Sequence, residues 1–185
     1  MDRTPRRADA WLAPLWGFAE ATLFFIVPDV LLSFLALDSR RRALIGCIWV
    51  VTGAVVGGAA MYAWGARDRD QATAALERVP AVDRAMIDRV EREMEETGFV
   101  AVFVGAFTGT PYKLFATNAG SLRMGLVPFL AVSIPARLAR FVLVSWLVGG
   151  ISRFVGERWD PGRKRAALAI FWIVFYTAFF ILMSS

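Results

Sequence analysis

The 185-residue chain has no histidine and a single cysteine, Cys47. The first absence removes imidazole acid–base chemistry and the HExxH zinc motif. The second rules out an internal disulfide or a cysteine cluster and leaves the redox compartment open. Charge is sparse too: 20% of residues are charged and 57% are hydrophobic. The charges gather at the N-terminus, Asp38–Arg42, Arg67–Glu96 and Arg153–Arg165, which leaves no room for a separate soluble domain. The net charge of +5 forms no basic stripe interleaved with exposed aromatics, so the footprint of a nucleic-acid binder is missing. Arginine at membrane boundaries accounts for the excess. Gly109-Thr-Pro-Tyr-Lys113 lacks the GxxxxGK[ST] spacing of a phosphate-binding loop, and no strand precedes it. Neither a cofactor nor a metal site is expected. A cleavable signal is missing as well: the apolar segment after the basic leader is long and carries Glu20, so it is expected to stay in the mature protein.

What is present suits a bilayer. Mean hydropathy is +0.52, and the apolar runs between charge clusters come near or above the roughly 20 residues that a crossing helix needs. An all-α, multi-pass protein of the cell (inner or plasma) membrane is expected, with residues 1–185 forming one membrane domain. Met1–Ala10, with Arg3, Arg6 and Arg7, is a basic leader expected on the cytoplasmic side.

Trp11–Leu37 organises the rest. It is apolar but contains Glu20, Pro28 and Asp29. A carboxylate in hydrocarbon is costly unless paired, neutralised or wet. Pro28 gives no amide hydrogen and disfavours helix at Val27, so the segment should break there. The freed carbonyls are tolerable only where protein or a wet cavity covers them. The expectation is a first re-entrant hairpin or broken helix over 11–37, with Glu20 and Asp29 aimed at a central site. It returns to the basic cluster Asp38–Arg42, on the leader's side.

Residues 43–66 form a spanning helix whose Gly53, Gly57 and Gly58 make a small-residue face, suited to helix packing more than to substrate contact. Residues 68–97 are hydrophilic. Pro80 fits a first helical turn, Gly98 a C-cap, and Val82, Met86, Val90 and Met94 recur every four residues, which predicts an amphipathic surface helix. Residues 98–122 are the second irregular apolar segment. There Gly105, Thr108, Gly109, Thr110, Pro111, Tyr112, Asn118 and Gly120 shape a second hairpin and Lys113 supplies charge. The spanning helix 125–150 carries Arg137 and Arg140 on one face, to be turned into the bundle unless one snorkels to an interface. Residues 166–183 make a last, uncharged spanning helix, expected to pack against the bundle.

Residues 11–66 and 98–150 read alike, each a broken, charge-bearing segment followed by a spanning helix. With one crossing between them, two hairpins would enter from opposite faces, which is the inverted repeat of many transporters.

At Gly17-Phe-Ala-Glu20 with Pro28-Asp29, Gly53/Gly57 with Tyr62-x-x-Gly65, and Phe103-Val-Gly-Ala-Phe107 running to Pro111-Tyr-Lys113 and Ala119-Gly120, the chain resembles the DedA family of membrane proteins, also called SNARE-associated or VTT-domain proteins. The resemblance covers roughly Trp11 to Gly150. It implies two opposed re-entrant segments and the movement of lipids between leaflets, undecaprenyl phosphate or phospholipids in bacteria. It also maps the family's carboxylate pair onto Glu20 and Asp29. Many members carry an arginine where this chain has Ala106; Lys113 falls near the place of a second family arginine, and Arg137 and Arg140 are the cations that would supply the missing charge.

The expected function is therefore that of a flippase or scramblase for a phosphate-bearing lipid, with Glu20, Asp29, Lys113, Arg137 and Arg140 as the substrate and proton pathway. Protons would be the coupling ion, and a homo-oligomer is open. A small-solute or ion transporter or channel, and a structural protein whose buried charges merely pair, stand as alternatives. An enzyme is not expected, a Glu20–Asp29 pair being the one arrangement that would suit one.

Overall fold

A computed structural model describes residues 7–183; Met1–Arg6 of the basic leader lie outside them. The described residues form nine α-helices and no strand: α1 Arg7–Ala21, α2 Asp29–Asp38, α3 Arg40–Arg67, α4 Arg69–Leu76, α5 Arg84–Thr97, α6 Val100–Thr108, α7 Tyr112–Ser121, α8 Leu126–Val155 and α9 Pro161–Met183. Among these residues, three helices are long and apolar enough to cross a membrane, namely α3, α8 and α9.

The long helices extend past the apolar runs 43–66, 125–150 and 166–183. Arg40, Arg41 and Arg42 form the first turn of α3 rather than a loop, Ile151–Val155 belong to α8, and α9 starts at Pro161. Hydropathy marks where contact with hydrocarbon stops, whereas backbone hydrogen bonding carries a helix on into water.

Trp11–Leu37 is not one rod. α1 ends at Ala21, before the proline, where the Thr22 hydroxyl donates back to the carbonyls of Phe18 and Ala19 at 3.0 and 2.9 Å. Residues 22–28 are irregular, and Pro28 is the cap residue from which α2 starts. In the second irregular segment α6 stops at Thr108. Gly109 takes a left-handed conformation, φ 86°, that a side chain would disfavour, and Pro111 precedes α7.

Residues 68–97 do not make one helix. α4 is capped by Asp68 and α5 by Asp83, whose carboxylate accepts from the Met86 amide at 2.7 Å. Pro80 lies in the turn between them, not in a first helical turn, because Asp83 is the better cap. Gly98 does cap α5, with φ 62°. The buried face of α5 is Ile87, Val90 and Met94, a spacing of three and four residues that a strict four-residue count misses.

Glycines set how closely the helices approach. A side chain at Gly53 would run into the Pro14 carbonyl of α1, one at Gly57 into Phe18 and Ala21, and one at Gly17 into the Val50 carbonyl of α3. Further along α3, Gly58 faces the Tyr112 ring, Gly65 the Thr117 carbonyl, and Gly120 of α7 the Tyr62 carbonyl. Leu32 and Leu35 of α2 meet Gly46 near the start of α3. Thus α1 rises beside α3, α2 returns toward its beginning, and α7 continues along its second part. α6 lies against α8, while α2 sits between α3 and α8.

The buried apolar residues form two clusters, one around Leu32, Val50 and Phe141, the other around Met61, Val90, Phe115 and Phe129. Glu20 and Arg137 fall between them along their own helices, so the charged site lies at the seam. α9 packs against the bundle chiefly through α2, and most of its apolar surface faces outward.

Candidate functional site

The site starts from an unmet need of the backbone. Where α1 unwinds, amides and carbonyls of residues 22–28 lose helical partners, and buried groups of that kind require others. Three side chains from three different helices supply them. The Trp16 indole donates to the Ile26 carbonyl at 2.9 Å. The Lys113 ammonium donates to the Phe24 carbonyl at 2.6 Å. The Val27 amide donates to the Tyr176 hydroxyl at 2.9 Å. Lys113 is 2% exposed, so its contact with Phe24 ties the second broken segment directly to the first.

α8 brings two arginines to the same place. Arg137 pairs with Glu20, the last polar residue of α1, and both side chains are buried. Arg140, one turn on, pairs with Asp29 at the start of α2 at 2.8 Å, and its other terminal nitrogen donates to the Ala106 carbonyl at 3.3 Å. The guanidinium of Arg137 also lies over the Tyr112 ring at 4.4 Å and the Phe141 ring at 5.1 Å, flanked by one aromatic from α7 and one from α8 itself. Tyr112 in turn stacks on Phe129, ring centroids 5.8 Å apart. Three cations therefore meet two carboxylates, and Lys113 is the one whose contact is a neutral carbonyl. Asp29 keeps one carboxylate oxygen, and Arg137 its Nε, without a hydrogen-bond partner although both are buried. Such atoms mark where water or a ligand group fits.

These residues line a cavity of about 230 Å³. Glu20, Asp29, Lys113, Arg137 and Arg140 all reach it, together with Pro28, Gly109, Thr110, Pro111 and Tyr112. The other shaping residues do not line it. Gly105 makes room for the Phe115 ring, Gly120 packs on α3, and Asn118 donates to the Ile87 carbonyl of α5 at 3.2 Å. The Thr108 hydroxyl shares a 3.3 Å contact with that of Thr110 at the end of α6. Gly53, Gly57 and Gly58 serve the α1 and α7 contacts described above. Among the described residues, no three His, Cys, Asp or Glu side chains come together as a metal site would need.

One wall of the cavity is formed by residues not expected there from the sequence. Phe171, Trp172, Phe175, Tyr176 and Phe179 of α9 line the cavity opposite the charges. Their spacing of one, three, one and three residues puts five aromatics on one helix face, a periodicity readable in a segment expected only to span and to pack against the bundle. The Trp172 indole donates to the Ser33 hydroxyl at 3.0 Å, which fixes α9 to α2 a turn beyond the Tyr176 contact.

No family model matches the chain, and no solved structure matches it. It is similar to an uncharacterized protein of Haemophilus influenzae, 29% identical over 180 residues that cover 96% of this chain and 90% of the relative. It is also similar to an uncharacterized protein of Histophilus somni, 43% identical over 53 residues, 29% of this chain and 28% of that one. The first similarity covers almost the whole of both chains.

Proposed function

We propose that the protein moves a phosphate-bearing lipid, such as undecaprenyl phosphate or a phospholipid, between the leaflets of the cell membrane as a flippase or scramblase. The observation that carries this is the cavity: an excess of cations over carboxylates on one side and an aromatic, outward-facing helix on the other. A phosphate is drawn to the charges, while its hydrocarbon has an apolar wall beside it. Binding and transfer need no bond to be made or broken, so no enzymatic step is invoked.

In this reading α1–α2 and α6–α7 are re-entrant hairpins of an inverted repeat. The support is the order of contacts along α3: Pro14 then Phe18 against Gly53 then Gly57, and Leu32 and Leu35 back at Gly46. The partner exchange agrees, since α1 and α6 lie on the long helix of their own half while α2 and α7 reach that of the other. Glu20 and Asp29 are each held by an arginine, so a guanidinium that turns to the phosphate must let go of its carboxylate.

The test is reconstitution in liposomes with a headgroup-labelled phospholipid. Labelled lipid should cross faster with the protein, and Arg137→Ala or Lys113→Gln should lose most of that gain. Unaltered rates in both variants reject the site; solute uptake without lipid movement rejects the function.

A second reading, a structural protein with internally neutralised charges, is favoured by one observation: both arginines have a carboxylate partner. It leaves the open cavity without a purpose.

A further inference from the structure

Phe171 and Phe175 line the charged cavity and are nevertheless 57% and 46% exposed. A ring that borders a cavity on one side and the exterior on the other forms a wall one side chain thick. The opposite wall is different, since Glu20, Asp29, Lys113 and Arg137 are all buried behind other helices. Phe171, Phe175 and Phe179 also border an apolar groove along the outside of α9, completed by Val174 and Ala178. Cavity and groove thus share three phenylalanines. Two ties hold α9 at this level, Tyr176 to the Val27 amide and Trp172 to Ser33, and neither lies on the groove side.

We propose that Phe171, Phe175 and Phe179 of α9 form a subsite for the hydrocarbon chain of an anionic lipid whose phosphate sits in the charged cavity. Continuity is the argument. A phosphate within reach of Lys113 and Arg140 has its ester oxygen directed away from them, and the apolar border of the same cavity is the α9 wall. A chain leaving between these rings stays in contact with apolar atoms throughout, as it does in the bilayer. Phenylalanine has no polar atom to desolvate there and only two side-chain torsions to turn. The inference rests on the lipid-phosphate reading and adds where the tail goes.

The experiment uses the full chain in phosphatidylcholine nanodiscs with two photoprobes: phosphatidic acid bearing a diazirine on its acyl chain, and diacylglycerol with the same chain and no phosphate. Phosphatidic acid is expected to label residues 171–179. Tenfold excess unlabelled phosphatidic acid should cut that labelling about tenfold, as competition for one site requires, and Lys113→Gln should weaken it. Diacylglycerol should label α9 without saturation. Equal, unsaturable labelling by both probes makes α9 ordinary lipid-facing surface and overturns the subsite. Saturable labelling confined to other helices overturns the tail path and leaves the lipid-phosphate reading standing. No saturable labelling anywhere removes both. Loss of α9 labelling in a chain that sediments as a dimer gives the face to a second copy and likewise overturns the proposal.

Discussion

Arg137 is held by Glu20 through an ion pair and by Tyr112 and Phe141 through their ring faces, almost wholly out of water. Charges so placed are costly to desolvate, and their mutual attraction repays that cost only while both are present. Removing one leaves the other buried and uncompensated. Glu20→Gln alone is therefore expected to destabilise the protein by about 3–5 kcal/mol, whereas Glu20→Gln with Arg137→Met should recover most of the loss. Thermal unfolding in detergent for the two single variants and the double measures this coupling. The same double variant separates two roles of the pair within the lipid-transport reading: if the pair only holds helices together, lipid movement in liposomes survives with the fold, and if it handles the phosphate, a stable double variant is inactive. Asp29 and Arg140 form a second such pair, but Arg140 is the more exposed partner and also reaches the Ala106 carbonyl. Its loss should cost less stability for a comparable loss of transport.

At the scale of helices, close approach is set by glycine, and the effect differs sharply between positions. Gly53 faces the Pro14 carbonyl with no space for a methyl group, while at Gly150 of α8 nothing lies within 4 Å of where a Cβ would sit. Gly53→Ala should push α1 from α3 and cost about 1–3 kcal/mol, the usual range for overpacking. Gly150→Ala should be neutral or stabilising by up to about 1 kcal/mol, because glycine is the poorer helix former. Equal unfolding temperatures for the two variants would remove the role given to the α1–α3 contact. The small-residue face was legible in the sequence, since GxxxG spacing survives any error in helix boundaries. So were the two interruptions, because Pro28 and Pro111 each sit among apolar residues. Their extent was not: α1 stops at Ala21, well before Pro28, where hydropathy registers no change. The five charged site residues were also legible, since charge inside an apolar run stands out by its cost. The aromatic wall of α9 was harder to find, because apolar residues in an apolar helix carry no contrast and only their spacing gives them away.

For the molecule as a whole, the ends of the bundle carry different charge. Asp38 at the end of α2 pairs with Arg165 near the start of α9 at 2.6 Å, and Lys164 donates to the Ser152 carbonyl of α8 at 2.9 Å. The basic segments 38–42 and 153–165 therefore share one end. The α4–α5 lobe follows the far end of α3, where Trp64 bonds Gln71 and Arg69 pairs with Glu91. Lys- and Arg-rich connections tend to stay in the cytoplasm, so the prediction is that the first end faces the cytoplasm and the lobe lies outside. If Trp11–Leu37 enters and leaves by one face, the N-terminus is cytoplasmic as well; if it crosses, the N-terminus is outside with the lobe. The single cysteine makes this testable. Cys47 is buried beside Ser145, and Cys47→Ser gives a background without reactive thiols. Cysteines placed one at a time at Asp2, Glu96 and Arg163 are then probed in intact cells with a membrane-impermeant maleimide. Glu96→Cys should react at once, and Arg163→Cys only after permeabilisation. Asp2→Cys decides the hairpin: protection alongside position 163 is the outcome expected of a re-entrant segment, and labelling alongside position 96 would mean that α1 and α2 together cross the membrane. In that case α1 would not run beside α3 in the direction that Pro14 at Gly53 and Phe18 at Gly57 give it, the two halves would no longer be inverted copies, and a lipid path drawn from their symmetry would have to be abandoned.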